Sequence, residues 1–203
     1  DNLSLEELVD EILKFTPDIV GVTGTTPEYG AVKYVAEEVK KRAPDVVTVI
    51  GGAHATHIPW EIVDQVREID YVAIFEAEKV LAAIVSNDIE KLSEYSDNAL
   101  YLMNMVGFDQ ADKYRGKILF SKNQTTTDLE HLFPLRKQPY IDMSNYRFAD
   151  PQVGLVLTDS VETARGCPFA CTFCSSRRSG LGLRSVENIL EELDEISASM
   201  SDA

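Results

Sequence analysis

Apolar residues in the first part of the chain recur in two rhythms. Leu5, Leu8, Val9, Ile12 and Leu13 fall at the three- and four-residue intervals of one helical face. Ser4 followed by Glu7 has the spacing of a capping box, so a helix is expected from there to about Phe15. Pro17 and Asp18 interrupt it, and Ile19 to Thr23 is then almost wholly apolar, the pattern of a strand covered on both faces. Helical spacing returns from Glu28 to Arg42, with Val32, Val35, Ala36 and Val39 on one side and three basic residues at the end. Val46 to Ile50 reads as a second buried strand closed by Gly51 and Gly52. Pro59 to Arg67 reads as a helix with Trp60, Ile62, Val63 and Val66 inward, Tyr71 to Phe75 as a third strand, and Glu78 to Val85 as a short helix. This alternation predicts an α/β fold: a doubly wound parallel sheet, flavodoxin- or Rossmann-like, with helices on both faces.

Beyond Ser86 the pattern degrades. Asn98 to Val106 and Lys117 to Phe120 are candidate strands, but polar runs such as Asn123 to Asp128, with Pro134, Pro139 and Pro151, predict an irregular connector. From Thr163 the character changes again. Arg165, Arg177, Arg178 and Arg184 occur with no Asp or Glu between Thr163 and Val186. Ser185 then stands where it would cap a helix carrying Val186, Ile189, Leu190, Leu193 and Ile196 on one face. The organisation expected is an α/β domain over 1–97, a linker over 98–159, and a third segment over 160–203.

Composition narrows the function. In 203 residues, 19 Lys plus Arg stand against 34 Asp plus Glu, a formal charge of −15, which argues against a protein that coats nucleic acid or an anionic membrane. No apolar run approaches the ~20 residues of a membrane span. The first residue is Asp1 and no basic segment leads into an apolar one, so no signal peptide is read and a cytoplasmic location is expected. The three cysteines, all between Cys167 and Cys174, are too few and too close for a disulfide framework. Metal or redox chemistry in a reducing compartment fits them better.

Cys167-Pro-Phe-Ala-Cys171-Thr-Phe-Cys174 has the spacing C-x3-C-x2-C. Three thiolates on one short loop can each bond a different iron of an iron–sulfur cube and leave the fourth iron open. An incomplete ligand set leaves a coordination position for a substrate, the logic that separates catalytic from closed structural metal sites. Three other readings stand beside it: packing cysteines without metal, a zinc site completed by a distant histidine, and a cluster that only carries electrons.

The run from Thr163 to Cys174, the following Ser175-Ser176 and the helix after Arg184 resemble the opening of a radical S-adenosylmethionine enzyme. The resemblance implies that the segment is the first βα unit of a partial TIM-type barrel. It implies that Cys167, Cys171 and Cys174 hold a [4Fe–4S] cluster, and that the open iron is chelated by S-adenosylmethionine with Phe173 beside the adenine. One-electron reduction of the sulfonium then releases methionine and a 5′-deoxyadenosyl radical. An external one-electron reductant such as flavodoxin or ferredoxin is implied as partner, with a small-molecule or biosynthetic-intermediate substrate. A non-catalytic iron–sulfur redox or binding module is the competing class.

In an open α/β sheet ligands bind beyond the carboxyl ends of the strands. Thr23-Gly24-Thr25-Thr26-Pro27 and Gly51-Gly52-Ala53-His54-Ala55-Thr56 occupy those places, and paired glycines there let backbone approach backbone or ligand. With the cysteine loop downstream, the order of elements resembles the cobalamin-binding domain that precedes the barrel in one branch of radical S-adenosylmethionine proteins. The resemblance makes Thr23, Thr25, Gly51 and Gly52 contacts to the nucleotide tail of cobalamin, and gives His54 and His57 loop or hydrogen-bonding roles rather than cobalt ligation. It also implies methyl transfer, or a rearrangement or cyclisation, as the reaction. The chain departs from the branch where Phe75-Glu76-Ala77-Glu78 replaces Gly-Glu-Gly-Glu, which leaves open a domain that keeps the sheet without binding corrinoid. The family's first strand and most of its barrel are not in the sequence, so the 203 residues are expected to be inactive alone.

Overall fold

The computed structural model describes residues 3–66, 69–88, 90–91, 118–120, 129–131, 147–174 and 180–201. They fall into two units, Asp1–Asn123 and Gln124–Ala203. The candidate strand Asn98 to Val106 lies outside the described residues.

The first unit is the α/β part. Helix α1 (Leu5–Lys14) starts with the capping box as read: Ser4 Oγ accepts from the Glu7 amide at 3.2 Å, and the Glu7 carboxylate accepts from the Ser4 amide at 2.8 Å. Then come β1 (Ile19–Thr23), a 3-10 turn (Thr26–Glu28), α2 (Tyr29–Arg42) and β2 (Val47–Gly51). These are followed by α3 (Gly52–His57), α4 (Pro59–Gln65), β3 (Tyr71–Ile74), α5 (Glu78–Val85) and β4 (Ile118–Phe120). The four strands lie in the order β1-β2-β3-β4, all parallel, with Ile19 level with Val47, Val49 with Tyr71, and Val72 with Ile118. The order runs one way, so the reversal that defines a doubly wound sheet does not fall between these strands.

Alternation along the strands sends side chains to two faces. Ile50, Val72 and Ile74 meet Val32 and Ala36 of α2 and Trp60, Ile62 and Val63 of α4 on one side; Val49 and Ala73 meet Val80 and Ile84 of α5 on the other. Helices therefore cover both faces. Val9 of α1 completes a third cluster with Val20, Val35 and Val39. At the amino ends of the strands one carboxylate does most of the polar work: Asp70 Oδ2 accepts from Lys40 Nζ at 2.7 Å, the Thr48 amide at 2.8 Å and Thr48 Oγ1 at 3.1 Å.

Among its described residues the second unit holds a 3-10 turn (Leu129–His131) and two antiparallel pairs, β5 (Arg147–Asp150) with β6 (Gly154–Leu157) and β7 (Ala164–Cys167) with β8 (Gly180–Leu183), then α6 (Val186–Ser201). This differs from the sequence reading in two ways. The stretch read as an irregular linker contains the β5–β6 hairpin, turned by Asp150, whose Oδ1 accepts from the amides of Gln152 at 2.8 Å and Val153 at 3.0 Å. The strand expected to open a barrel, β7, is instead paired antiparallel with β8, where Gly-Leu-Gly-Leu alternates at the strand period. No parallel barrel neighbour occurs among the described residues of this unit.

Candidate functional site

Thr23 ends β1 level with Gly51 at the end of β2, so both loops leave the sheet at one rim. Gly52 opens α3 with φ +89°, and a Cβ placed there would lie 2.3 Å from Thr23 Oγ1, 3.1 Å from the Gly24 amide nitrogen and 3.2 Å from the Gly24 carbonyl oxygen. The glycine is thus required for backbone to approach backbone: the space it vacates is filled by the neighbouring loop. At Gly51 a Cβ would meet only the Ala73 carbonyl at 3.5 Å, an ordinary contact. The segment read as a loop, Gly51 to Thr56, is mostly the short helix α3.

His54 ties the two loops together. Its amide donates to the Gly24 carbonyl at 3.3 Å, its Nδ1 lies 3.1 Å from Thr26 Oγ1, and its ring stands over Tyr29 with centroids 4.2 Å apart. Burial raises the pKa of the Tyr29 phenol, with Glu37 and Glu61 adding to the effect. His54 is 7% exposed, and among the described residues its buried Nε2 has no hydrogen-bond partner. His57 turns back on its own helix, with Nδ1 2.5 Å from the Ala53 carbonyl oxygen. Thr25 is exposed and forms a second capping box that the sequence reading missed. Its amide and Oγ1 both donate to Glu28 Oε2 at 2.8 Å, hydrogen bonds that hold the Glu28 carboxyl below the usual carboxylate range. The signal was present as Thr-x-x-Glu.

The third rim residue is Phe75, which takes φ +60°, the left-handed region that bulky residues avoid. Its amide donates to Thr56 Oγ1 at 3.0 Å and its ring lies against the core cluster of Ile50, Val72 and Ile74. The backbone holds a conformation suited to glycine while the side chain packs on the core.

In the second unit Gly166, at φ +91°, precedes Cys167, the last residue of β7. Cys167 and Cys174 are half-buried, Cys171 is exposed, and none of the three is in a disulfide. The Cys174 amide donates to the Cys171 carbonyl at 3.2 Å, closing a turn that carries Phe173, which is 91% exposed. No group of three or more Cys, His, Asp or Glu is gathered as metal ligands among the described residues; the trio is close in sequence without converging in space. Two of the four arginines of this stretch are in ion pairs. Arg165 is held by Glu162 at 2.8 Å, which lowers the Glu162 pKa, and Arg184 is paired with Glu192.

Residues 1–85 match the family model described as B12 binding domain. Over that segment, which is less than half of its length, the chain is similar to a B12 binding domain. Over 197 residues, 95% of its length, it is 30% identical to an uncharacterized methyltransferase of Pyrococcus horikoshii, of which it covers 39%. Over 203 residues, 96% of its length, it is 27% identical to the anaerobic magnesium-protoporphyrin IX monomethyl ester cyclase of Rubrivivax gelatinosus, of which it covers 34%. A cytidylyl-2-hydroxyethylphosphonate methyltransferase of Streptomyces wedmorensis is 24% identical over 215 residues, covering 94% of this chain and 39% of that protein. The chain thus spans between a third and two fifths of the length of these relatives. No described helix is long and apolar enough to cross a membrane.

Proposed function

We propose that this chain is the corrinoid- and cluster-binding part of a cobalamin-dependent radical S-adenosylmethionine enzyme that performs methyl transfer or cyclisation on a biosynthetic intermediate. The observation that carries the reading is three cysteines within eight residues, none in a disulfide, downstream of a segment that matches a B12 binding domain, in a chain similar to proteins named as methyltransferases and a cyclase. The donor set suits the cluster: Cys167 ends β7, Cys171 and Cys174 bracket the turn that follows, and none of the three is in a disulfide. Binding and ordering are coupled at such sites, so the convergence of the three sulfurs is the work of assembly. The cluster, when bound, supplies one electron to the sulfonium of S-adenosylmethionine, and exposed Phe173 offers a ring for the adenine. On the first unit, Thr23, Thr25, Gly51 and Gly52 form the rim against which cobalamin would lie, with Gly51 leaving an open strand end and His54 Nε2 an unused polar atom.

The test is anaerobic reconstitution of the full chain with iron and sulfide. Visible charge-transfer absorption and an electron paramagnetic resonance signal that shifts on adding S-adenosylmethionine are expected; iron content unchanged after all three cysteines become alanine would sink the reading. An unperturbed resonance signal would instead indicate a redox module.

A second reading, a sheet that no longer takes corrinoid, is favoured by the filled space at Gly52 and by Phe75 at the end of β3. Titration with hydroxocobalamin decides between them.

A further inference from the structure

We propose that Arg184 is a positioning residue for the three thiols, acting through the register of the β7–β8 hairpin; the proposal rests on the cluster reading above. The residue follows β8 directly, and its side chain is 7% exposed. Its Nη1 donates to the Glu162 carbonyl at 2.9 Å, just before β7, and its own amide donates to the Thr163 carbonyl at 3.1 Å. Its Nε donates to Asn188 Oδ1 at 2.8 Å, and the guanidinium is paired with the carboxylate of Glu192, itself 10% exposed. One planar fork thereby grips both open ends of the hairpin and the first two turns of α6.

The segment this hairpin closes carries the cysteines. Cys167 stands level with Gly180, and a slip of one residue would send its thiol to the opposite face of the pair. Stability alone is a poor reason for a guanidinium here, because replacing a buried ion pair by apolar residues is frequently neutral or favourable. What the fork supplies is simultaneous, directional donation to the strand and the helix. Lysine, a point charge with no fork, can keep the pairing with Glu192 and the backbone donation to Thr163, but not the guanidinium bonds to Glu162 and Asn188.

The experiment separates the two contacts in the full 203-residue chain after anaerobic reconstitution. Glu192→Gln leaves donation to Glu162, Thr163 and Asn188 in place. It is expected to hold the same iron per chain and the same reduced-cluster resonance as the unsubstituted protein, while melting several degrees lower. Arg184→Lys keeps the charge pair and is expected to melt close to the unsubstituted protein. Its iron loading should nevertheless be down about tenfold, with shifted g-values in what remains, the scale seen when residues that orient metal ligands are changed. Wild-type loading and spectrum in Arg184→Lys, or loss of iron in parallel with melting temperature in both variants, would overturn the proposal. An unsubstituted chain that takes up no cluster overturns the cluster reading, and this proposal with it.

Discussion

At the rim of the first unit single residues are set by backbone conformation. Gly52 has both a left-handed φ and no room for a methyl group, so Gly52→Ala combines strain with a collision against Thr23 and is expected to cost about 3 kcal/mol in urea unfolding. Phe75 makes a subtler prediction. Alanine ordinarily outranks glycine in stability, but at φ +60° the order reverses, so Phe75→Gly should be more stable than Phe75→Ala by about 1 kcal/mol. The opposite order would mean that the left-handed backbone is not there. Neither position was legible in full. The Gly-Gly pair announced a close approach, yet whether backbone or ligand supplied it depended on where β1 ends, and nothing in the letters Phe-Glu-Ala-Glu marks a left-handed residue.

Elements were legible in proportion to their burial. β1 and α5 occupy the spans their patterns predict, because strands covered on both faces and helices with one inward stripe leave regular traces. β5 and β6 left none: Phe148 and Leu155 are exposed, and four residues in each strand give too short a period to read. α6 begins where Ser185 was read as its cap, and Ser185 Oγ accepts from the Asn188 amide at 3.2 Å. Among its described residues the buried side chain is nonetheless polar, Glu192 against Arg184 ahead of the helix, with Ile189 and Ile196 half-buried and Val186, Leu190 and Leu193 exposed. The second half of that cap comes from Glu130, whose Oε1 accepts from the Ser185 amide at 2.5 Å across 55 residues of sequence, a partner no local signature reveals. The cap at the 3-10 turn gives a pH prediction. Because the folded Glu28 carboxyl lies below its ordinary value of 4.5, its contribution is complete above that value and is lost as pH falls through the folded one. Glu28→Gln should therefore be less stable than the unsubstituted protein at neutral pH and converge with it in acid, read from melting temperatures across the range.

For the whole chain, the strong acidic excess and the two separate units argue that recognition lies in small sites and not in broad charged surfaces. If the first unit takes corrinoid and the second takes a cluster, each ligand should leave its own footprint in amide hydrogen exchange, because binding suppresses local opening where the contacts are made. Hydroxocobalamin is expected to slow exchange in the residues after β1, in α3 and around Phe75, where His54 already joins the loops. Cluster assembly is expected to slow exchange between Ala164 and Cys174, where the Cys174 amide already donates to the Cys171 carbonyl. Protection by hydroxocobalamin confined to the second unit would remove the rim from the corrinoid site. Protection by the cluster that stops short of Cys171 would take that thiol out of the ligand set and leave iron bound by fewer sulfurs than the proposed chemistry requires.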